Sequence, residues 1–390
     1  MVCKNSISKL DMGKKNKILD PVSKKKIFIS TIPITDNRIW QNGLFQNIFF
    51  LYKLFEKAGY YPYLLFGCEK PEKDCTELEN FRTISVGEYQ KSPFPLYVYI
   101  EISLSFNEEA RGFFKKHGAK ILKLHLGNNL NFDIENTVFI NEANTHNICN
   151  VPGKLDVALL SPHYDFHKEY VGAVHWVYPN QKIAPYVWDS SLIKDLENTH
   201  VWKQNGPYAI TIMEPNISFQ KCSLIPIMIC EMFYRSNPGM FEGAVVVNGY
   251  NMSKFQYFNE TILANLDIQR SGKIHLLKRC AMRQLCTSLK HNILVLHAVN
   301  NDYNYVFLEH LFMGFPVLHN YESLKEYGYY YEGDDIMAGK KLLETVIKIH
   351  GANMKKYKER NLPLLQKFSI ENPENIFGWK KILDTEYNRV

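Results

Sequence analysis

The chain lacks any run of 18 apolar residues, so no membrane-spanning helix is expected. Its basic start has no apolar stretch behind the lysines, which argues against a secretory signal. The eight cysteines, Cys3, Cys68, Cys75, Cys149, Cys222, Cys230, Cys280 and Cys286, are scattered and form no C-x-x-C pair. That usage argues against a disulfide framework or a zinc ribbon and suits a reducing, cytoplasmic compartment. G-x-G-x-x-G and G-x-x-x-x-G-K-[ST] are missing, so neither nicotinamide nor P-loop chemistry is supported. H-E-x-x-H and G-x-S-x-G are missing as well. No D-x-D triplet could hold a cation on a donor diphosphate, so no metal site is expected. Asp334-Asp335 are adjacent and diverge on an extended chain, which reads as turn chemistry.

Excess charge is also missing from most of the chain. The formal charge is +6. Residues 1–26 hold eight lysines and two aspartates, so the whole excess sits there and the remainder is balanced. The basic stretch reads as a disordered tail, and the rest does not read as a nucleic-acid binder. Hydrophobic residues make up 46% and charged residues 22% of the 390 positions, enough to build large cores. At about 150 residues per domain, the length suggests two domains.

Strand and helix patterns alternate. Strands are expected at Ile27–Ile32, Tyr63–Phe66, Thr83–Val86, Leu96–Ile100, Lys120–His125, Thr137–Ile140, Lys154–Ser161 and Gly172–Val177. Helices are expected at Gly43–Lys57 and Asn107–His117. After a break rich in Pro, Trp and Gly, strands recur at Tyr208–Met213, Gly243–Asn248, Ile274–Leu276, Asn292–His297 and Pro316–Leu318. Helices accompany them at Phe219–Tyr234, Ser253–Asn265, Lys278–Leu289 and Val306–Met313. Further helices are expected at Gly339–His350, Met354–Phe368 and Asn375–Glu386. This alternation predicts an α/β chain with two Rossmann-like, doubly wound domains facing a central cleft. The boundaries are a tail at 1–26, a first domain at 27–188 and a connection at 189–206. A second domain follows at 207–370, then a C-terminal helical segment at 371–390 that crosses back to the first domain.

The segment from Asn301 through Tyr303, Asn304 and Glu309 to Val317 is the most informative. It follows a buried strand, enters a helix and ends in Gly-x-Pro and another strand. It resembles the E-x7-E region of GT-B glycosyltransferases. The resemblance implies that Glu309 hydrogen-bonds the donor ribose, while Asn301 stands where those enzymes carry their first glutamate, near the donor sugar. His297 ends the preceding strand and could bond the donor. Glu214, Asn216 and Lys221 lie in the loop that faces the donor pyrophosphate in GT-B enzymes. Lys221 could neutralise it at a helix start, and Asn216 could instead cap that helix. Asn42, Gly43 and Asn47 open the first long helix, after the first strand's loop. Together these blocks resemble a GT-B-like family found in bacteria and large DNA viruses.

Glu101 and His125 each end a strand, at the sheet edge where a base for the acceptor hydroxyl would sit. His163 and Asp165 are weaker candidates. Arg279 and Arg283 read as a salt-bridged surface. The expectation is a metal-independent glycosyltransferase without a cofactor, acting in the cytoplasm, or in the host cytoplasm if the chain is viral. Its partners would be a nucleotide-sugar donor, with UDP-sugar the first guess, and a glycan or glycoconjugate acceptor. A catalytically silent sugar- or nucleotide-binding protein and a sugar-nucleotide epimerase remain alternatives on the same fold.

Overall fold

The computed structural model describes residues 24–34, 38–67, 76–138, 155–197, 202, 205–288 and 292–387. Two sheets organise them. In the first, β1 (Lys26–Thr31), β2 (Tyr61–Phe66), β3 (Thr83–Ser85), β4 (Val98–Glu101), β5 (Lys120–His125), β6 (Val157–Leu160) and β7 (Gln181–Ile183) run in the order 3-2-1-4-5-6-7. In the second, β8 (Tyr208–Ile212), β9 (Phe241–Val246), β10 (Ile274–Leu276), β11 (Asn292–Val295), β12 (Val317–His319) and β13 (Tyr329–Tyr330) run 10-9-8-11-12-13. Every pairing is parallel. Both sheets therefore reverse direction beside their first strand, the arrangement that opens a crevice at the carboxyl strand ends.

The helices used below are α1 (Gly43–Lys57), α2 (Glu108–Lys116), α3 (Asn129–Val138), α4 (Lys168–Val174), α5 (Leu224–Ser236), α6 (Met282–Ser288), α7 (Tyr305–Met313), α8 (Ile336–Phe368) and α9 (Pro373–Asp384). Sequence signals set several of their ends. Asn42 accepts from Leu44 N–H at the start of α1, and Asn107 accepts from Ala110 N–H at α2. Asn304 accepts from Val306 N–H at α7, which ends on Gly314 at φ 85°. Such caps satisfy backbone groups that helix ends leave open.

Some expectations need correction. Thr137–Val138 close α3 and are not strand; Phe139 and Ile140 lie outside the described residues. Gly172–Val174 belong to α4 rather than to a strand. Ser253–Asn265 is no regular α-helix: its second half is a π-turn, Phe258–Ile262, followed by a 3-10 turn. The two helices expected at 339–368 form one helix of 33 residues, with Pro363 inside it. The expected tail runs too far, because Lys26 opens β1 and Lys25 bonds Asp384. Residues 1–23, with Cys3, lie outside the described part, as do Cys68, Cys75 and Cys149.

Three apolar clusters fill the layers. One packs the far face of the first sheet and one the far face of the second. The third joins α1 and β1 to α6, α7 and α9, and so crosses from one sheet unit to the other. The C-terminal α9 lies on the first unit. Trp379 packs on Phe55 of α1, with ring centroids 5.3 Å apart, and donates to Pro185 O at 3.1 Å. Lys120 Nζ donates to Leu383 O at 2.5 Å.

Candidate active site

The carboxyl ends of β8 and β11 carry the most unusual electrostatics. Glu214 follows β8 and is fully buried. Its Oε1 accepts from His297 N–H at 2.9 Å, and its Oε2 has no hydrogen-bond partner. Burial pushes its carboxyl well up, and the nearby Lys221 ammonium opposes this. The same burial pulls Lys221 down, with Glu214 and Asp302 opposing. Lys221 Nζ donates to Tyr303 O at 3.2 Å, so it ties the first loop of this sheet to the Asn301–Asn304 loop. Asn216, at φ 54°, bonds Ser223 N–H and Glu214 O, and so staples the loop that leads to α5. Ser223 at the start of α5 is buried, and its Oγ is unpartnered. An ammonium and an unpaired hydroxyl together suit an anionic oxygen ligand.

His297 lies at the end of β11 with Tyr331 OH at 3.2 Å from Nδ1 and Asp334 Oδ1 at 3.2 Å from Nε2. Of the two aspartates read as turn residues, Asp335 caps α8 while Asp334 faces His297. Asn301 Oδ1 accepts from Tyr164 OH, on the first unit, at 2.7 Å, and both residues are buried. Tyr303 stacks against His163, with centroids 4.3 Å apart. Asn304 caps α7.

Glu309, expected to meet the donor ribose, is held inside the fold. It is 4% exposed, and its Oε1 accepts from Gln46 Nε2, on α1, at 2.7 Å. Burial raises its carboxyl to about 8, against the pull of the Gln46 bond. The neighbouring Asn47 donates to Tyr305 OH at 2.7 Å, and Gly43 lies against the same tyrosine ring. Asn42 only caps α1. Thus Asn47 and Gly43 do meet the Asn301–Glu309 segment, and so do Gln46 and Tyr164, which were not candidates in the sequence.

On the acceptor side, the structure removes one candidate base. Glu101 takes Arg111 in a buried two-point ion pair at 2.7 and 2.8 Å, with Lys123 at 3.7 Å. Both oxygens are engaged, so Glu101 is a structural partner rather than a proton acceptor. His125 Nδ1 accepts from Asn129 Nδ2 at 2.7 Å, which leaves the ring proton on Nε2. The ring then offers a donor, not a base. Burial holds it well below the usual histidine range, so it is neutral at pH 7. Asp165 pairs with Lys168 on the surface. Arg283 grips Asp195 of the connection with two bonds of 2.7 Å, and Arg279 donates to Gln41 O of the first unit.

A surface groove of about 570 Å³ beside the connection is lined by Trp40, Phe49, Lys53, Asp189 and Arg283. None of the loops just described lines it. Among the described residues no group of three His, Cys, Asp or Glu side chains could hold a metal ion. No described helix is long and apolar enough to cross a membrane.

Residues 27–383 match the family described as "Protein of unknown function (DUF2827)". The chain belongs to this family. No curated protein matches it in sequence. Among solved structures it is similar to TarM, at TM-score 0.62 and 10% identity over 94% of this chain and 100% of that one. It is also similar to an alpha-glucosyltransferase in complex with UDP and a 13-mer DNA, at 0.57 and 12% over 93% and 100%. Anabaena HepE in complex with UDP and glucose follows at 0.55 and 11%, over 93% and 100%. This DUF2827 chain therefore has a GT-B-like fold, with both of its sheet units covered by the likeness.

Proposed function

We propose that this DUF2827 protein is a glycosyltransferase that moves a sugar from a nucleotide-sugar donor to a hydroxyl of a glycan or glycoconjugate. The observation that carries the reading is that Asn301 and Glu309 of the second unit bond Tyr164 and Gln46 of the first, while Lys221 holds the Asn301–Asn304 loop through Tyr303 O. The donor diphosphate would lie against Lys221 and the start of α5. Its ribose would meet Glu309. UDP is the first nucleotide to test, since several proteins of similar fold were solved with it. With Glu101 paired and His125 in its Nε2–H form, His125 would bond a sugar oxygen rather than take the acceptor proton. The departing phosphate would take the acceptor's proton as its bond to the sugar carbon breaks. Lys221 would steady its charge without a metal, and the reaction would take place in the cytoplasm.

The test is a thermal-shift panel of nucleoside diphosphates and their sugars. A ligand at 100 times its Kd adds about 2.7 kcal/mol of stability. Glu309→Ala should weaken the best ligand by roughly ten-fold to several hundred-fold, the loss of one or two bonds to a carboxylate. Unchanged binding would make Glu309 a purely structural contact. A strong chelator should leave donor binding unchanged; loss restored by manganese or magnesium would overturn the metal-independent reading. The second reading, a silent nucleotide-sugar binder, draws on the Tyr164 bond that occupies Asn301. Binding without hydrolysis or transfer would favour it. Isomerisation of the sugar nucleotide without acceptor would instead mark an epimerase.

A further inference from the structure

We propose that Gln46, on the first sheet unit, is a positioning residue for the nucleotide's ribose: its amide holds one oxygen of Glu309, so that ribonucleotide binding is coupled to the arrangement of the two units. The inference rests on the reading of Glu309 as the ribose contact. Tyr305 and Glu309 are four residues apart and share one face of α7. Gln46 and Asn47 are neighbours near the start of α1. The two helices thus meet at adjacent points, Gln46 to Glu309 and Asn47 to Tyr305, each at 2.7 Å. Tyr305 OH donates onward to Val187 O at 3.0 Å, in the segment before the connection. One side chain of the first unit therefore sets the rotamer of a carboxylate in the second.

The bond also sets the charge of that carboxylate. The titratable groups facing Glu309 are Tyr305 on its own helix, Tyr186 before the connection and Cys286 on α6. Burial raises all three, so they stay neutral near pH 7 and supply no positive charge. Burial drives Glu309 towards its neutral form, and the Gln46 N–H favours the ionised one. An ionised carboxylate accepts stronger hydrogen bonds than a neutral acid. One lone pair of Oε1 goes to Gln46, and the carboxylate keeps acceptor capacity for ribose hydroxyls.

The test compares UDP, GDP, ADP and CDP with their 2′-deoxy counterparts, by calorimetry on the full chain between about pH 6 and 10. The ratio of ribo to deoxy affinity isolates the ribose contact, because changes at the diphosphate cancel. For the parent the ratio should rise with pH through about 8, as Glu309 ionises. In Gln46→Leu and the near-isosteric Gln46→Met, the midpoint should move up. A shift of half a pKa unit lowers the ionised fraction, and with it the ratio near pH 7.5, by about three-fold. Glu309→Ala should hold the ratio near one at every pH. If both Gln46 variants keep the parent's midpoint while Glu309→Ala abolishes the ratio, the proposal fails and the ribose reading stands. A ratio near one in the parent, or no binding of any of the four nucleotides, overturns both.

Discussion

Glu309 is a carboxylic acid buried with an amide for a partner, and its cost depends on pH. Its value rises from the ordinary 4.5 to about 8 in the fold. Between these values the folded chain holds a proton that the unfolded chain has released. Stability therefore falls as pH rises from about 4.5 to about 8, and levels off above. Glu309→Gln keeps the size and one acceptor oxygen but cannot titrate. Its melting temperature should decline less than the parent's between about pH 5.5 and 8. Parallel curves would mean that the folded carboxyl is ionised throughout. Glu101 is the opposite case: equally buried, it has an arginine on both oxygens. Neither fate can be seen in the residue type. Glu101 ends a strand and Glu309 lies in a helix, and in each case the partner decides.

At the scale of elements, the helix starts were readable because an asparagine precedes α1, α2 and α7 and each side chain accepts from its helix. The expected break near Gly351 was not real. Tyr357 donates to Phe315 O and His350 bonds Gly314 O and Tyr329 OH, so packing on either side holds α8 continuous through a weak stretch. Among the residues that bury α9, Trp379 is the largest. Trp379 is 1% exposed, packs on α1 and reaches Pro185 O. Trp379→Ala should cost about 3–5 kcal/mol, read from denaturant unfolding. A loss below about 1 kcal/mol would show that α9 contributes little to holding the first unit.

Across the whole molecule, buried imidazoles outnumber buried unpaired carboxyls. Burial lowers His167, His175, His310, His319 and His350 to about 4. Between about 4 and 6.5 the unfolded chain binds more protons at each of them, so stability falls as pH drops through that window. Glu309 and Glu214 work in the opposite direction there, but five groups outweigh them. The melting temperature should therefore drop steeply below about pH 6; a flat profile to pH 5 would show that these rings are hydrated and charged. Truncation tests the start of the fold. Removing residues 1–23 should leave the melting temperature nearly unchanged. Removing 1–26 should lower it clearly, because Lys25 O and Lys26 O accept from Tyr61 and Tyr97 N–H and Lys26 starts β1. Equal effects would show that β1 does not need its first turn of pairing.

Apart from the edge strands β7 and β13, most of the alternation of strands and helices and the doubly wound class were determined by the sequence alone. Those features follow from local periodicity, capping residues and turn residues, which act over a few positions. The irregular stretches were misjudged where local signals were even, as at Thr137–Val138, Gly172–Val174 and Ser253–Asn265. The state of the site was decided by tertiary structure. Gln46 meets Glu309 across 263 positions, and Tyr164 meets Asn301 across 137. Ionisation, tautomer and burial depend on such distant partners through desolvation and hydrogen bonding, and no local pattern in the chain encodes which partner arrives.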